Sequence, residues 1–337
     1  MAFAPETIYG TAPGTSGYIY VFGVAETATL PDPLIDFMPI YAMGTSSNRN
    51  WYTTYKGRMG MTGSIPEIWL LNGYPVYLPI GTVANTGVSG AWIHTVTEGT
   101  TLKSISVHVT YLDSDNTVAL MRRFIGGKVN RAGFEAREGD YLKMSIDEIT
   151  FLNFTHDQSG EVFYASGVAD ITPTYPTTQP YLFSYGSLSL DDTVFARIRA
   201  FRLDVDNGME PKYYVTTSSY ASQLPYEYRE GRRAYRLTCT VDIEDASLYK
   251  QLVRQGTYTN VYKGFQTTMT FTRGTNDTMI LTTPPATPAA GGDKMGCLIR
   301  SAPHPITTDP VVSVNLDILC RSLSIVTTDS VQIYPGV

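Results

Sequence analysis

Few side chains in this chain have the types and spacing that chemistry requires. The four histidines show no metal-binding spacing such as H-E-x-x-H; they are His94, His108, His156 and His304. His108 lies in Ser104–Leu112, where apolar and polar residues alternate, and this pattern is typical of a structural residue in a strand. The histidines therefore predict no metal centre.

Carboxylates occur close together in stretches typical of turns, at Asp113 and Asp115 and at Asp191 and Asp192. Such pairs can bind Ca²⁺ or act in glycoside hydrolysis, but no calcium-binding loop surrounds them. The stretch Gly126-Gly127-Lys128 lacks the first glycine and the Ser or Thr of a phosphate-binding loop. No G-x-S-x-G motif or dinucleotide fingerprint occurs either. We therefore expect no enzymatic activity and no cofactor.

The cysteines are Cys239, Cys297 and Cys320, an odd number without C-x-x-C spacing. This pattern argues against a disulfide framework and against a zinc site. Cys239 and Cys320 lie in alternating apolar stretches, which favours buried thiols. Met1–Gly17 has neither the basic nor the apolar region of a signal peptide, and no apolar run is long enough to span a membrane. We expect the chain to fold in a reducing cytoplasm.

The composition favours strands and turns over long amphipathic helices. Of the 337 residues only 17% are charged, whereas 24 are tyrosine. Low charge and abundant tyrosine also suit a chain whose surface is covered by neighbours. A formal net charge of −6 and a pI of about 5.3 give no sign of the basic face of a nucleic-acid reader.

The elements that would carry any site occur twice in the same order. A predicted strand at Met59–Ile65 leads into a predicted helix at Pro66–Asn72, and a strand at Arg233–Val241 leads into a helix at Asp245–Gln255. Further alternating stretches match in sequence order, Ser104–Leu112 with Phe265–Arg273 and Asp140–Ile149 with Asp309–Leu319. This order favours a duplicated β-rich domain, which supplies two subunit positions in a ring. One large β-sandwich or two unrelated β domains are the alternatives.

Changes in composition predict the boundaries. Residues 1–33 are expected to form an N-terminal arm with one strand at Tyr18–Val24, disordered or ordered only against a neighbouring chain. Residues 172–180 are rich in proline, which forces extended backbone, and are the predicted linker. The first β domain is therefore expected at 34–171 and the second at 181–337.

One run of motifs in the second half carries a family resemblance. An alternating strand at Phe201–Asp206 ends in Asn207-Gly208 and is followed by a Tyr-rich loop, Met209–Tyr226. The turn Arg229-Glu230-Gly231-Arg232-Arg233, a long strand and a helix opening at Glu244–Tyr249 complete the run. This order resembles the tail tube proteins of long-tailed, siphovirus-like bacteriophages. The first half looks like the same pattern in degraded form.

The resemblance implies a mainly β fold of two tandem tail-tube-type domains, β-sandwich or barrel-forming, each with a short flanking α-helix. In this family such domains pack into six-membered rings, and the rings stack into the hollow tail tube through which DNA leaves the virion. Two domains per chain imply trimeric rings with pseudo-sixfold symmetry. The implied partners are further copies of the chain and the tape measure, tail terminator and distal tail proteins. Assembly in the host cytoplasm is implied, and DNA passes without specific binding.

The resemblance also assigns a loop to contacts between rings. In the family this loop precedes the long strand, so Asn207–Tyr226 is the predicted stacking loop and Gly44–Asn50 is its weaker counterpart. The loop Asn207–Tyr226 has more apolar and aromatic side chains than a solvated loop of its length would carry. The stacking candidates are Met209, Tyr213, Tyr214, Val215 and Tyr220.

Two further sets of residues receive roles. The candidates for pairing with acidic groups of a neighbouring chain are Arg229, Arg232 and Arg233. A bore that binds phosphate would hold DNA back, so the lumen should be polar or acidic. Asp204 and Asp206, on one side of an alternating strand, are the lumen candidates.

Two other classes of protein remain open on the sequence. One is another virion β-protein, such as a capsid decoration or tail-terminator component. The other is a carbohydrate-binding β-sandwich, suggested by abundant tyrosine and by Trp51, Trp69 and Trp92. The tail tube hypothesis requires polymerisation, whereas the carbohydrate hypothesis requires a platform of exposed aromatic side chains.

Overall fold

The computed structural model describes residues 1–31, 35–40, 53–161, 163–190, 193–195, 198–215, 223–243, 266–283, 296–301 and 312–334. Within these ranges the regular elements are β-strands and three short 3-10 helices at Thr15–Gly17, Tyr74–Tyr77 and Phe183–Tyr185. The mainly β class predicted from alternation is confirmed.

The strands are, in chain order, β1 (Ala2–Pro5), β2 (Ile35–Ile40), β3 (Thr53–Met59), β4 (Thr62–Trp69), β5 (Gly81–Val88), β6 (Ala91–Glu98), β7 (Ile105–Leu112), β8 (Val118–Arg137), β9 (Lys143–Thr150), β10 (Asn153–His156), β11 (Gly186–Leu190), β12 (Thr193–Phe195), β13 (Ile198–Asp206), β14 (Glu210–Lys212), β15 (Glu227–Arg229), β16 (Ala234–Ile243), β17 (Thr267–Gly274), β18 (Asp277–Thr283), β19 (Leu298–Ser301), β20 (Val312–Cys320) and β21 (Ser324–Asp329).

Two large antiparallel sheets contain most of these strands. The first has ten strands in the order β1-β7-β8-β13-β16-β20-β19, with β10 and β9 also paired to β8, and β4 paired to β9. The second has the order β12-β11-β17-β18-β21-β6-β5, and two-stranded ribbons join β2 to β3 and β14 to β15. The long strand β8 turns at Gly126, whose φ of +70° suits glycine. Before this turn β8 pairs with β7 and β10, and after it with β9 and β13.

The core lies between the sheets because alternate residues of each strand face it. On β13 the buried residues Phe201, Leu203 and Val205 alternate with more exposed polar neighbours. The ring of Phe201 lies 5.7 Å from that of Phe271 on β17 in the second sheet, measured between centroids. One cluster of buried apolar residues therefore includes strands from both sheets.

The strand pairing of the first half recurs in the second. β1 pairs with β7 and β7 with β8, as β11 pairs with β17 and β17 with β18. β4 pairs with β9, as β16 pairs with β20. The ribbon β2–β3 precedes β4, as the ribbon β14–β15 precedes β16. The two halves nevertheless share sheets, since β8 pairs with β13 and β6 with β21. The division into two domains at residues 172–180 stays a prediction.

The helix predicted at Pro66–Asn72 is wrong. Strand β4 continues through Trp69, and the register of its pairing with β9 shifts between Ile65 and Ile68. This irregularity accommodates Pro66, which lacks the backbone N–H of a regular ladder. The helix predicted at Asp245–Gln255 lies outside the described residues. No helix among the residues that the structure describes is long and apolar enough to cross a membrane.

The N-terminus differs from the expected arm. Ala2, Phe3 and Ala4 are completely buried in β1, which pairs with β7 of the same chain. The expected strand at Tyr18–Val24 is reduced to isolated bridges, Tyr20 with Phe3 and Val24 with Trp69. These residues are ordered within their own chain because their apolar side chains complete its core.

Candidate functional site

The outward side of the first sheet carries a dense set of charges. Successive side chains of a strand point to opposite sides of the sheet, so every second residue of β8, β9, β13, β16 and β20 lies on this outward side. We call these side chains the charged face. Its carboxylates are Glu135, Asp147, Glu148, Asp204, Asp206, Asp242 and Asp317, and its cations are Arg131, Arg137, Lys143, Arg202 and Arg236. Carboxylates outnumber cations on this face.

Arg202 is the centre of the charged face. Its guanidinium nitrogens lie 2.9 Å from Glu135 on β8, 2.9 Å from Asp147 on β9 and 2.6 Å from Asp204 on β13 itself. The side chain of Arg202 is one-third exposed, so these ion pairs are screened only in part. One cation therefore bridges carboxylates from three strands and fixes their positions, and the group of four side chains keeps an excess of negative charge.

The other arginines of the charged face are also paired. Arg236 binds Asp317 through both carboxylate oxygens, at 2.7 and 3.1 Å. These hydrogen bonds lower the pKa of the Asp317 carboxyl, so it stays ionised. Arg131 binds Glu148 at 2.9 Å through Nε. A groove of about 550 Å³ crosses this face, and its lining includes Arg202, Arg236 and Asp317. Its arginines are thus engaged by carboxylates of their own chain.

The turn after β13 is held by one buried amide. Asn207 is 1% exposed, and its Nδ2 donates to the carbonyl oxygens of Pro79 and Val129, each at 3.0 Å. Its Oδ1 accepts from Nε of Arg233 at 2.7 Å. Its backbone N–H donates to the Asn130 carbonyl, and its carbonyl accepts from Gly231. Asn207 therefore joins both ends of the predicted stacking loop to strand β8.

A second anchor lies in the turn that follows the loop. Glu230 accepts a 2.8 Å hydrogen bond from Nζ of Lys128 on β8, and both side chains are largely buried. The same carboxylate accepts from the backbone N–H of Leu102 at 2.9 Å. Gly208 reaches a φ of +55°, and Gly231 packs directly on its backbone. We call Asn207, Gly208, Glu230, Gly231 and Arg233 the loop root.

The structure places four of the five stacking candidates. Met209 is buried with Leu102 and Tyr228, so it belongs to the base of the loop. The Tyr213 hydroxyl donates to the Met59 carbonyl at 3.2 Å. Tyr214 is 44% exposed and Val215 is fully exposed at the end of the described segment. Tyr220 and the first-half counterpart Gly44–Asn50 lie outside the described residues. The loop starts as the ribbon β14–β15, not as irregular backbone from Met209 onward.

The arginine candidates lie in different environments. Arg229 is exposed and binds Glu227 at 2.7 Å, which lowers the pKa of the Glu227 carboxyl. Arg232 is exposed, whereas Arg233 is half-buried and donates to Asn207. The lumen candidate Asp204 lies on the charged face beside Arg202. Asp206 is exposed, and its Oδ1 accepts from the Gly208 backbone N–H at 2.8 Å.

The sequence did not reveal that Arg202 is the centre of the charged face or that Asn207 is the centre of the loop root. Asn207 was expected only to form a turn with Gly208, because no local pattern shows that its amide reaches Pro79 and Val129. Arg202 was seen only as a polar residue of an alternating strand. Its partners Glu135 and Asp147 are brought to it by strand pairing, which the sequence does not reveal. Within the described residues, no group of three or more His, Cys, Asp and Glu side chains is arranged to hold a metal ion.

These features define a structural β-protein with an ion-paired charged face and an anchored, partly exposed loop. A family model described as phage tail tube protein matches residues 1–318. The chain therefore belongs to the phage tail tube protein family, and it is a structural component of the virion tail. No match was found among curated proteins.

Proposed function

We propose that this chain polymerises into trimeric rings that stack into the hollow tail tube, and that DNA passes through the bore during delivery. Each chain contributes two repeats of the tube fold, so three chains give pseudo-sixfold symmetry. Its partners are further copies of itself and the tail proteins at the ends and in the bore of the tube. The role is structural and involves no catalysis.

The junction between β8 and β13 is the observation that carries this proposal. These strands belong to the two repeated halves, and they pair over seven positions, from Ala200↔Arg137 to Asp206↔Arg131. The pairing is edge to edge, as it would be between two subunits. A ring of three chains has three such junctions within chains, and the same kind of strand pairing would form the three junctions between chains.

The ends of the first sheet are the surfaces for those junctions. β19 lies at one end of the sheet. The branch of the sheet that leaves β8 through β9 ends at β4, where Val24 and Thr29 bridge to Trp69 and Ser64. Pairing β19 with residues 24–31 of the next chain would close the sheet into a ring. Closure removes free sheet edges, which would otherwise template aggregation.

The charged face suits the wall of a bore. A protein gains affinity for DNA when free Lys or Arg side chains neutralise phosphates, because the counterions condensed on the DNA are then released into solution. On this face Arg202 and Arg236 are held by carboxylates of the same chain, and carboxylates are in excess. A duplex would therefore meet a wall that repels its phosphates, and it could slide.

Electron microscopy and native mass spectrometry of purified protein test the assembly. We expect hollow tubes or rings at high protein concentration, and a ring mass equal to three chains of 37.1 kDa. Rings of six chains would contradict the pseudo-sixfold arrangement. A monomer at every salt concentration, with affinity for a glycan, would favour a carbohydrate-binding module.

A charge reversal tests the assignment of the bore. Tubes of the Asp204→Lys/Asp206→Lys variant should retain a short fluorescent DNA duplex at low salt and release it as salt rises. The Asp204→Asn/Asp206→Asn variant is the matched control, since it removes the same carboxylates without adding cations. Equal retention by both variants would place the charged face away from the bore.

A loop deletion tests stacking. Deletion of Tyr213–Tyr220 should leave folded subunits and rings that do not stack, because Tyr214 and Val215 are exposed beyond the loop root. Replacement of Arg229 by alanine is a milder variant that keeps the loop. Normal tubes from the deleted chain would show that another surface joins the rings.

A further inference from the structure

Two of the three cysteines lie side by side in the structure. Leu298 of β19 pairs with Leu319 of β20, so the preceding Cys297 lies opposite Cys320. Their sulfur atoms are 3.1 Å apart. Both side chains point toward the core, since their neighbours Leu298 and Leu319 are exposed on the other side. The third cysteine, Cys239, lies on β16 opposite Leu316.

The backbone geometry suits a covalent link between them. Opposite residues of antiparallel strands have Cα atoms about 4.5–5.5 Å apart. A disulfide spans Cα distances of about 4.4–6.8 Å and needs a sulfur–sulfur bond of about 2.05 Å. The sulfurs of Cys297 and Cys320 therefore need to approach by roughly 1 Å, which side-chain rotation supplies without a shift of the strands.

The two thiols differ in accessibility. Cys297 is completely buried, and its thiol donates to the Thr283 carbonyl on β18 at 2.9 Å. Cys320 is half-buried. An oxidant would therefore meet Cys320 first, with Cys297 directly behind it. The hydrogen bond with Cys297, and then burial, raise the pKa of the Cys320 thiol, so its attack on an oxidant is slow at neutral pH and faster as the pH rises. Cys297 lies behind it as the resolving thiol.

We propose that Cys297 and Cys320 form an intrachain disulfide when the folded chain meets a small-molecule disulfide such as oxidised glutathione. The Cys320 thiolate attacks one glutathione sulfur, the glutathione disulfide bond breaks, and one reduced glutathione leaves. Cys297 then attacks the Cys320 sulfur, loses its proton and releases the second glutathione. The two cysteines lose two electrons and two protons in total, and the oxidant gains them.

The disulfide would tie two parts of the fold together. It would close the chain from Cys297 to Cys320, and it would hold β19 onto β20 at the end of the first sheet. Oxidation removes the S–H of Cys297, so its hydrogen bond to the Thr283 carbonyl on β18 would be lost. Closing a loop lowers the entropy of the unfolded chain, so the folded chain should melt at a higher temperature after oxidation. This inference does not depend on tube assembly.

Thiol titration and peptide mapping test the proposal on the full chain. Folded wild-type protein is incubated with oxidised glutathione, quenched with acid and titrated for thiols in denaturant. The titre should fall from three thiols per chain to one, and the intact mass should fall by two hydrogens. Peptide mapping should recover one cross-linked pair that contains Cys297 and Cys320.

Serine variants assign the roles of the three cysteines. Cys239→Ser should still form the disulfide, because Cys239 is buried on β16 opposite Leu316, whereas the sulfurs of Cys297 and Cys320 are in contact. Cys297→Ser should trap one glutathione on Cys320, since the resolving thiol is missing. Cys320→Ser should keep both remaining thiols free.

Three results would overturn the proposal. The first is a wild-type titre that stays at three thiols at oxidant concentrations that modify Cys320 in the Cys297→Ser variant. The second is a cross-link that includes Cys239 or a second chain. The third is a lower melting temperature of the oxidised wild-type chain, which would show that the strands are strained by the bond. Peptide mapping of the wild type gives a decisive result even where a serine variant fails to fold.

Discussion

Replacement of Asn207 should disturb the fold more than replacement of any polar residue on its surface. The Asn207→Ala variant loses three side-chain hydrogen bonds, those to Pro79 and Val129 and the one from Arg233. Each buried hydrogen bond contributes about 1 kcal/mol net, and a partner left unsatisfied adds to the loss. We therefore expect the free energy of unfolding to fall by about 3–4 kcal/mol.

Thermal unfolding followed by near-ultraviolet circular dichroism measures this loss at one fixed protein concentration. A loss of this size should lower the melting temperature by roughly 4–6 °C in a chain of this length, because the entropy of unfolding is about 2.1 cal/mol/K per residue. Asn315→Ala is the matched control, since Asn315 is exposed on β20 and its Oδ1 accepts from the Thr240 hydroxyl at 2.8 Å. We expect the control to change the free energy of unfolding by no more than about 0.5 kcal/mol.

A second variant separates the hydrogen bonds from the packing at this position. Asn207→Asp keeps the shape of the side chain but replaces the amide donor with an oxygen that faces two carbonyl oxygens. It should lose at least about 2 kcal/mol, because both donated bonds become repulsive contacts. A melting temperature of Asn207→Asp equal to that of the wild type would refute the reasoning, since the donors would then contribute nothing.

Three further predictions concern other parts of the structure. Arg202→Met should lower the free energy of unfolding by about 1 kcal/mol at low salt and by less at high salt. The reason is that it leaves Glu135, Asp147 and Asp204 unpaired on a partly exposed face. Urea denaturation at two ionic strengths measures this loss, and Arg236→Met, which breaks a single pair, is the control. Burial, and then the nearby Arg123, lowers the pKa of His108 from 6.5 to about 4, so folded His108 stays neutral where the unfolded chain takes up a proton. Stability should therefore fall as the pH drops from 6.5 toward 4, and His108→Gln should flatten that part of the profile; an unchanged slope would contradict the assignment. Tyr334→Phe should cost about 2 kcal/mol, because the buried hydroxyl accepts from the Gly73 backbone N–H and donates to Asp329; thermal unfolding checks this value, and exposed Tyr185→Phe is the control.

The sequence predicted strands well where one face alone is buried. The stretches Phe201–Asp206 and Arg233–Val241 alternate clearly, and they form β13 and β16 with bounds that differ by a few residues. Alternation works there because every second side chain enters the core. β1 was missed because Ala2, Phe3 and Ala4 are all buried, so the segment has no polar face to produce a period.

The wrong helix at Pro66–Asn72 has a specific physical origin. The prediction rested on end signals, since Ser64 can cap a helix, Pro66 suits its first position and Gly73 suits its end. In the structure Pro66 lies in the irregular part of β4, whose register with β9 shifts between Ile65 and Ile68. An irregular strand and a short helix therefore have the same local pattern, and only the pairing with β9 distinguishes them.

The site residues illustrate the same limit at longer range. Asp204 could be placed on a polar face from alternation alone, but its partner Arg202 could not be linked to Glu135 and Asp147. Those contacts depend on which strands are neighbours and in which register, and a shift by one residue would reverse every side chain. The cysteine spacing argued against a disulfide framework, and it could not show that the pairing of β19 with β20 brings Cys297 and Cys320 into contact.

The pairing of charges within one chain bears on how a tube could form and still release DNA. A subunit that depended on a neighbour to neutralise its arginines would expose them before assembly, when it could bind nucleic acid in the cell. Arg202 and Arg236 are instead neutralised by carboxylates of their own sheet. The charged face is therefore complete in the single chain, and assembly needs only the sheet edges for ring closure and the loop for stacking. On this reasoning, mutations at residues 24–31 or β19 should impair ring formation, whereas Asp204→Lys/Asp206→Lys should raise the retention of DNA by the tubes without impairing ring formation.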